Sequence, residues 1–178
     1  MALIILDRDG VINEDSDDYI KSPEEWIAIP GSLAAISKLT QHNYQVVVAT
    51  NQSGIGRKLF TIDALNAIHM KMHTHLAQFG GVVDAIFFCP HTPKDDCSCR
   101  KPKPGLYNSI SERLRTSLNK VYCVGDKMTD IRAAQSAGAK PILVRTGKGQ
   151  QEIDEGLVPK GVPTYDNLAS FVDELTTR

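Results

Sequence analysis

The sequence lacks any apolar run approaching the ~20 residues that a membrane-crossing helix needs. It has almost no net charge, −1 over 178 residues, and so no overall pull toward nucleic acid or an anionic membrane surface. Met1 to Leu6 runs straight into Asp7, without the basic start and longer apolar stretch of a secretory signal. No internal repeat, low-complexity stretch or long linker interrupts the chain, and no G-x-x-x-x-G-K-[ST] phosphate loop is present, which argues against a kinase. Cysteine is scarce as well. Of the four, Cys89, Cys97 and Cys99 fall within eleven positions. These absences predict a cytoplasmic monomer with neither nucleic-acid nor membrane partners. In that compartment, clustered thiols favour a metal over disulfides.

What is present has the balance of a globular protein: 42% apolar and 23% charged residues, enough for one domain over residues 1–178. Short apolar runs at Leu3–Leu6, Val46–Thr50, Ala85–Cys89, Val121–Val124 and Ile142–Val144 read as strands buried on both faces. Helical segments alternate with them. One carries Leu33, Ile36 and Leu39. A second is capped by Thr61 and runs to about Phe79, and a third is opened by Pro104. A fourth starts at Thr129 or Asp130 and stops at Gly138, and a fifth covers Leu168 to Leu175. This alternation predicts a three-layer, doubly wound α/β fold with a parallel sheet, in which ligands bind at the carboxyl ends of the strands.

Each polar cluster with chemical potential follows a strand: Asp7-Arg8-Asp9, Thr50 to Ser53, Cys89 to Lys101, and Gly125-Asp126-Lys127. Asp7 and Asp9 can offer a carboxylate and a backbone carbonyl to a hard cation while leaving the other carboxylate free, the oxygen set Mg²⁺ prefers. Asp126 and Asp130 complete the acidic side. A single strand-end aspartate usually caps a helix or closes a turn, but two clusters at equivalent strand ends are harder to explain that way. A phosphate would be repelled here unless donors offset its charge; the Thr50 hydroxyl and the Lys101 ammonium supply them. The acidic run Asp15, Asp17 and Asp18 reads as a solvated loop.

Cys89, His91, Cys97 and Cys99 form a Cys₃His set sufficient for a closed tetrahedral zinc site. The loop has little apolar content, so zinc would hold it and aim Arg100 and Lys101. A catalytic base is the alternative for His91. Cys123, inside an apolar strand, reads as core, and His42, His69, His73 and His75 as structural.

The runs Asp7-Arg-Asp9-Gly-Val, Thr50 after an apolar strand, Lys101, and Gly125-Asp126-Lys-Met-Thr-Asp130 together resemble the four motifs of the haloacid dehalogenase superfamily. The resemblance implies that Asp7 is the nucleophile and Asp9 the general acid and base, with a pKa near the working pH. It implies that Asp7, the Asp9 carbonyl and Asp126 hold Mg²⁺, and that Thr50 and Lys101 stabilise the phosphoryl group. The spacing leaves no room for a large inserted cap. More closely, Asp7 to Asn13, Thr50 to Gly56, the Cys89–Lys101 loop and Val144 to Lys148 resemble the D-glycero-D-manno-heptose 1,7-bisphosphate 7-phosphatases, which serve bacterial lipopolysaccharide synthesis. That likeness implies a small phosphorylated sugar as substrate, touched by Asn51, Gln52, Ser53, Arg100 and Lys127, with Asp15 and Ser16 reading its hydroxyls. Arg145 and Lys148 are open between a distal phosphate and a surface loop, and the role of Asp130 is also open. Histidinol-phosphate phosphatase shares the motifs and is the nearest rival. More distant are a polynucleotide 3′-phosphatase, which would want a basic groove, and a silent zinc-stabilised binding module.

Overall fold

Successive residues of a strand face opposite ways, so apolar residues at every position of a strand require cover on both sides. The computed structural model describes residues 2–177 and supplies that cover. Strands β1 (Ala2–Leu6), β2 (Tyr44–Asn51), β3 (Ala85–Cys89), β4 (Tyr122–Gly125), β5 (Lys140–Val144) and β6 (Thr164–Tyr165) form one parallel sheet in the order β3-β2-β1-β4-β5-β6. The helices are α1 (Ser32–Gln41), α2 (Ser53–Gly56), α3 (Ile62–Gln78), α4 (Gly105–Leu114), α5 (Met128–Ser136), α6 (Gly149–Asp154) and α7 (Leu168–Thr177).

Strand alternation divides the core into two halves. Ile4, Leu6, Val46 and Val48 pack with Leu33 and Ile36 of α1, Ile68 and Met72 of α3, and Phe171 of α7. Leu3, Ile5, Val47 and Ala49 point the other way, against Leu106 and Ile110 of α4 and Ala133 and Ala134 of α5. Each large aliphatic side chain so buried stabilises the fold by about 1.5–3 kcal/mol. The predicted three-layer architecture is therefore the observed one. None of the helices among the described residues is long and apolar enough to cross a membrane.

The predicted elements are recovered with shifted ends. Thr61 caps α3 as expected, its hydroxyl oxygen accepting from the Ala64 N–H at 3.1 Å. Helix α5 begins earlier than Thr129. Lys127 is its N-cap residue, and the Asp130 carboxylate accepts from the Lys127 N–H at 3.0 Å. The four-residue α2, α6 and the two-residue β6 were not anticipated, because such short segments carry no period to read.

Chain order reverses between β1 and β4: β2 and β3 lie on one side of β1, β4 to β6 on the other. The crevice at such a reversal, beyond the carboxyl ends of the strands, is where doubly wound sheets bind ligands. Asp7 leaves β1 and Asp126 leaves β4 at that point.

Candidate active site

The Asp7 N–H still bonds to the Val124 carbonyl, at 2.9 Å, so the first aspartate is held by the last rung of the ladder between β1 and β4. The chain then turns through Gly10, whose φ of +82° suits glycine. Asp7, Asp126 and Asp130 each bring a carboxylate oxygen into one cluster, all within 4.8 Å of one another. Lys101, only 2% exposed, enters from the loop after β3 and pairs with Asp7 at 3.1 Å and Asp130 at 2.6 Å. It also donates to the Ala49 carbonyl at 2.8 Å.

Burial raises the Asp7 carboxyl to about 6, against the pull of Lys101 and with the help of Asp130. Burial likewise drives Asp126 well above the carboxylate range, although Lys127 opposes it. For Lys101, burial alone would lower the pKa, but Asp130 and Asp7 outweigh it and the ammonium is raised above its ordinary value. The Lys127 ammonium is raised in the same way, burial being overcome by Asp126, Asp7 and Asp15.

The donor set fits a hard cation. Asp126 Oδ2 accepts from the Lys148 N–H at 2.8 Å, whereas Oδ1 is buried with no hydrogen-bond partner. An unpartnered buried carboxylate oxygen is costly unless it meets a positive charge. Space around Asp126 is made by glycine: a Cβ on Gly10 or on Gly147 (φ +60°) would overlap Asp126 Oδ2. The Thr146 hydroxyl donates to the Gly10 carbonyl at 2.6 Å, tying the loop after β5 to the first motif. Asp130 belongs to the acidic cluster, but Lys101 and the Lys127 N–H engage its two oxygens.

Asp9 has a different environment. Its carboxylate accepts from Arg8 Nε at 3.0 Å and Nη2 at 2.8 Å, from Asn13 Nδ2 at 2.8 Å and from Gln52 Nε2 at 3.0 Å. Burial would raise its pKa, but Arg8, Asn13 and Gln52 outweigh burial and lower it. This departs from the expectation of a value near the working pH. The reason is that hydrogen-bond donors surround the carboxylate. Gln52 also donates to Thr50 Oγ1 at 3.0 Å, so the Thr50 hydroxyl keeps its own proton for another acceptor.

The cleft around these groups has a volume of about 330 Å³ and is lined by every residue expected to touch substrate, from Asp15 and Ser16 through Asn51, Gln52 and Ser53 to Arg100 and Lys127. Their contacts qualify several expectations. Asn51 clamps the Lys101 backbone, accepting from its N–H at 3.1 Å and donating to its carbonyl at 3.0 Å. Asp15 pairs with Lys127 at 2.8 Å, and Asp17 with Lys148 at 2.6 Å, so the acidic first loop is latched to the cleft's cations rather than merely solvated. Lys148 lines the cleft; Arg145 does not, pairing instead with Asp166 at 3.4 Å and donating to Gln150 at 2.8 Å. Sequence reasoning missed Arg57, which also lines the cleft, and the buried Arg8 and His69. The only signal for Arg8 was a charged residue inside an otherwise catalytic tripeptide.

Beside the cleft, the sulfurs of Cys89, Cys97 and Cys99 lie 3.2–3.6 Å apart, and His91 Nδ1 is 3.3 Å from Cys99 and 3.5 Å from Cys89. These are close to the edges of a tetrahedron built on Zn–S bonds of ~2.3 Å, whose S···S edge is about 3.8 Å. Cys123 is buried in the core, 2% exposed.

A family model described as HAD-hydrolase-like matches residues 98–171. The chain is 55% identical, over 175 residues, to the D-glycero-beta-D-manno-heptose-1,7-bisphosphate 7-phosphatase of Bordetella bronchiseptica, with 98% of each chain covered. It is 49% identical, over 173 residues, to the protein of the same name from Neisseria meningitidis serogroup A, covering 96% of this chain and 92% of that one. Its fold matches the crystal structure of D,D-heptose 1,7-bisphosphate phosphatase from B. bronchiseptica complexed with magnesium and phosphate, with a TM-score of 0.97, 55% identity and 99% of both chains covered.

Proposed function

The chain belongs to the D-glycero-beta-D-manno-heptose-1,7-bisphosphate 7-phosphatase family of haloacid dehalogenase-like hydrolases, and on that footing we propose that it removes the 7-phosphate of that sugar bisphosphate through a phosphoaspartyl intermediate on Asp7. It is a phosphoric monoester hydrolase. The observation that carries the chemistry is the meeting of Asp7, Asp126 and Asp130 with Lys101 at the carboxyl ends of β1 and β4.

Asp7 and Asp126, with the Asp9 carbonyl, are the ligands for Mg²⁺. When bound, the cation supplies the positive charge that lets a phosphate dianion approach a carboxylate. Asp7 attacks phosphorus and the bond to the sugar oxygen breaks. Asp9 protonates that leaving oxygen. It then takes a proton from water, which attacks the phosphoaspartate and releases inorganic phosphate. The donors around Asp9 favour its carboxylate form, the form that activates water. The negative phosphoryl group arriving beside it opposes them and helps it carry the proton needed first. Lys101 and the free Thr50 O–H face the transferring oxygens, and Asp130 anchors Lys101.

Beside Lys101, the cleft is lined by Arg57 and Arg100, which the acidic groups of the lining do not pair with, and by Lys127 and Lys148, which Asp15 and Asp17 hold. A bisphosphate offers a second phosphate to the two guanidiniums; histidinol phosphate, a monoester carrying amines, does not. Steady-state rates under Mg²⁺ with the β-heptose bisphosphate, its α anomer and histidinol phosphate test this. The β anomer is expected to have the highest kcat/KM. A preference for histidinol phosphate above about tenfold (1.4 kcal/mol) would overturn the substrate assignment.

The Cys₃His cluster is the site for one structural zinc, which fixes the loop ahead of Arg100 and Lys101. Metal analysis of the purified protein is expected to find about one zinc per chain, and stripping it should lower both the melting temperature and the activity. A stable, fully active, metal-stripped protein would remove the zinc from this account.

A further inference from the structure

Arg8 sits between the two aspartates of the first motif, and its side chain is wholly buried. A guanidinium keeps its charge in proteins and has no acceptor of its own, so burial obliges its N–H groups to find partners. One edge of the fork faces Asp9: Nε donates to Oδ1 at 3.0 Å, and Nη2 donates to Oδ1 at 2.8 Å and to Oδ2 at 3.1 Å. The remaining nitrogen, Nη1, meets His69 Nε2 at 3.1 Å. Since arginine only donates, His69 Nε2 holds the lone pair and the ring proton lies on Nδ1. Burial, and then the Arg8 charge, lower the imidazole to about 3, so the ring stays neutral and keeps that lone pair.

His69 is 8% exposed and stands on α3, whose Leu65, Ile68 and Met72 are fully buried in the core. Helix packing therefore sets the ring, the ring sets one end of the guanidinium, and the other end grips the carboxylate. Without an acceptor at residue 69, Nη1 would be left buried and unsatisfied, and the fork would be free to turn toward another carbonyl, changing the angle at which Asp9 is held. Asn13 and Gln52 would still hold the carboxylate, so its orientation would loosen rather than be lost.

We propose that His69 is a positioning residue for the phosphatase reaction, acting through Arg8 on the orientation of Asp9. The inference rests on the assignment of Asp9 as the group that gives and takes the proton. The test measures kcat and KM for the heptose bisphosphate at saturating Mg²⁺ with His69→Leu, His69→Gln and, in parallel, Asp9→Asn. His69→Leu is expected to lower kcat by about 10- to 100-fold with KM changed less than about threefold, the scale of a small misplacement of a reacting group. His69→Gln brings an amide oxygen to Nη1 and is expected to recover most of that loss. If Asp9→Asn is inactive while His69→Leu matches the wild type, the role of His69 is overturned and the assignment of Asp9 stands. Equal losses in the leucine and glutamine variants would reduce His69 to packing and also overturn it. A fully active Asp9→Asn would overturn the underlying assignment itself. Should the leucine variant fail to fold, His69→Asn replaces it: the shorter amide does not reach Nη1, so the same contrast with glutamine is expected.

Discussion

Asp7→Asn should yield a folded protein whose turnover has dropped by at least about 10⁴-fold, the scale seen when a covalent nucleophile is removed. The substitution keeps the shape of the side chain and replaces the attacking oxygen anion with a neutral amide. Asp7 is buried, 7% exposed, so no water-exposed group is well placed to take over the attack. Stability should move the other way. Burial already raises the Asp7 carboxyl to about 6, with Asp130 adding to the rise, so its charge is opposed by its own surroundings. Removing that charge relieves repulsion among three clustered carboxylates. The melting temperature at neutral pH is therefore expected to stay level or rise. Acid-quenched reactions should show a phosphorylated protein for the wild type and none for the variant. Turnover within about tenfold of the wild type would contradict the nucleophile assignment.

Lys101→Met should lower kcat by about 10³-fold, the effect of deleting one preorganised charge at a reacting centre. Here stability should fall too. Lys101 is 2% exposed and pairs with two buried carboxylates, and breaking such a group by removing one partner costs about 3–5 kcal/mol. The pH dependence has a definite sign. Asp7 has a raised folded-state pKa, so its contribution to stability is lost as pH rises through about 6. Without the lysine, whose charge lowers that value, the carboxyl holds its proton to higher pH. The stability deficit of the variant is therefore largest near neutrality and shrinks on acidification, as Asp7 takes up a proton. Denaturation midpoints measured from about pH 5 to pH 8 check this; a deficit independent of pH would contradict the buried triad as the source of the loss.

Patterning along the chain was enough for the architecture. Continuous runs of three to five mostly apolar residues, too short for helices, read as strands covered on both faces, and the alternation with helical periods leaves a parallel sheet as the consistent solution. The same reading located the chemistry, because polar residues placed immediately after apolar strands must emerge at one edge of the sheet. Where it fell short, the reason is local weakness of signal. Two residues of β6 and four of α2 carry no period. The environment of Asp9 was misjudged because Asn13 and Gln52 look like ordinary loop residues until the chain brings them to the carboxylate. His69 read as structural because, although it stands four residues from His73, no third ligand accompanies the pair in the sequence.

Residue types and spacing thus determined that paired aspartates follow one strand and that a thiol cluster and a lysine lie at and beyond the end of another, while the family resemblance supplied the roles proposed for them. Strand order decided the rest. Placing β1 between β2 and β4 brings residues 7, 50, 101 and 126 into one crevice. Packing of α3 against the same sheet sets His69 behind Arg8. Contacts across such sequence separations arise only when the two faces of the sheet are buried at once. No stretch of chain short enough to show a pattern contains both partners of any of them.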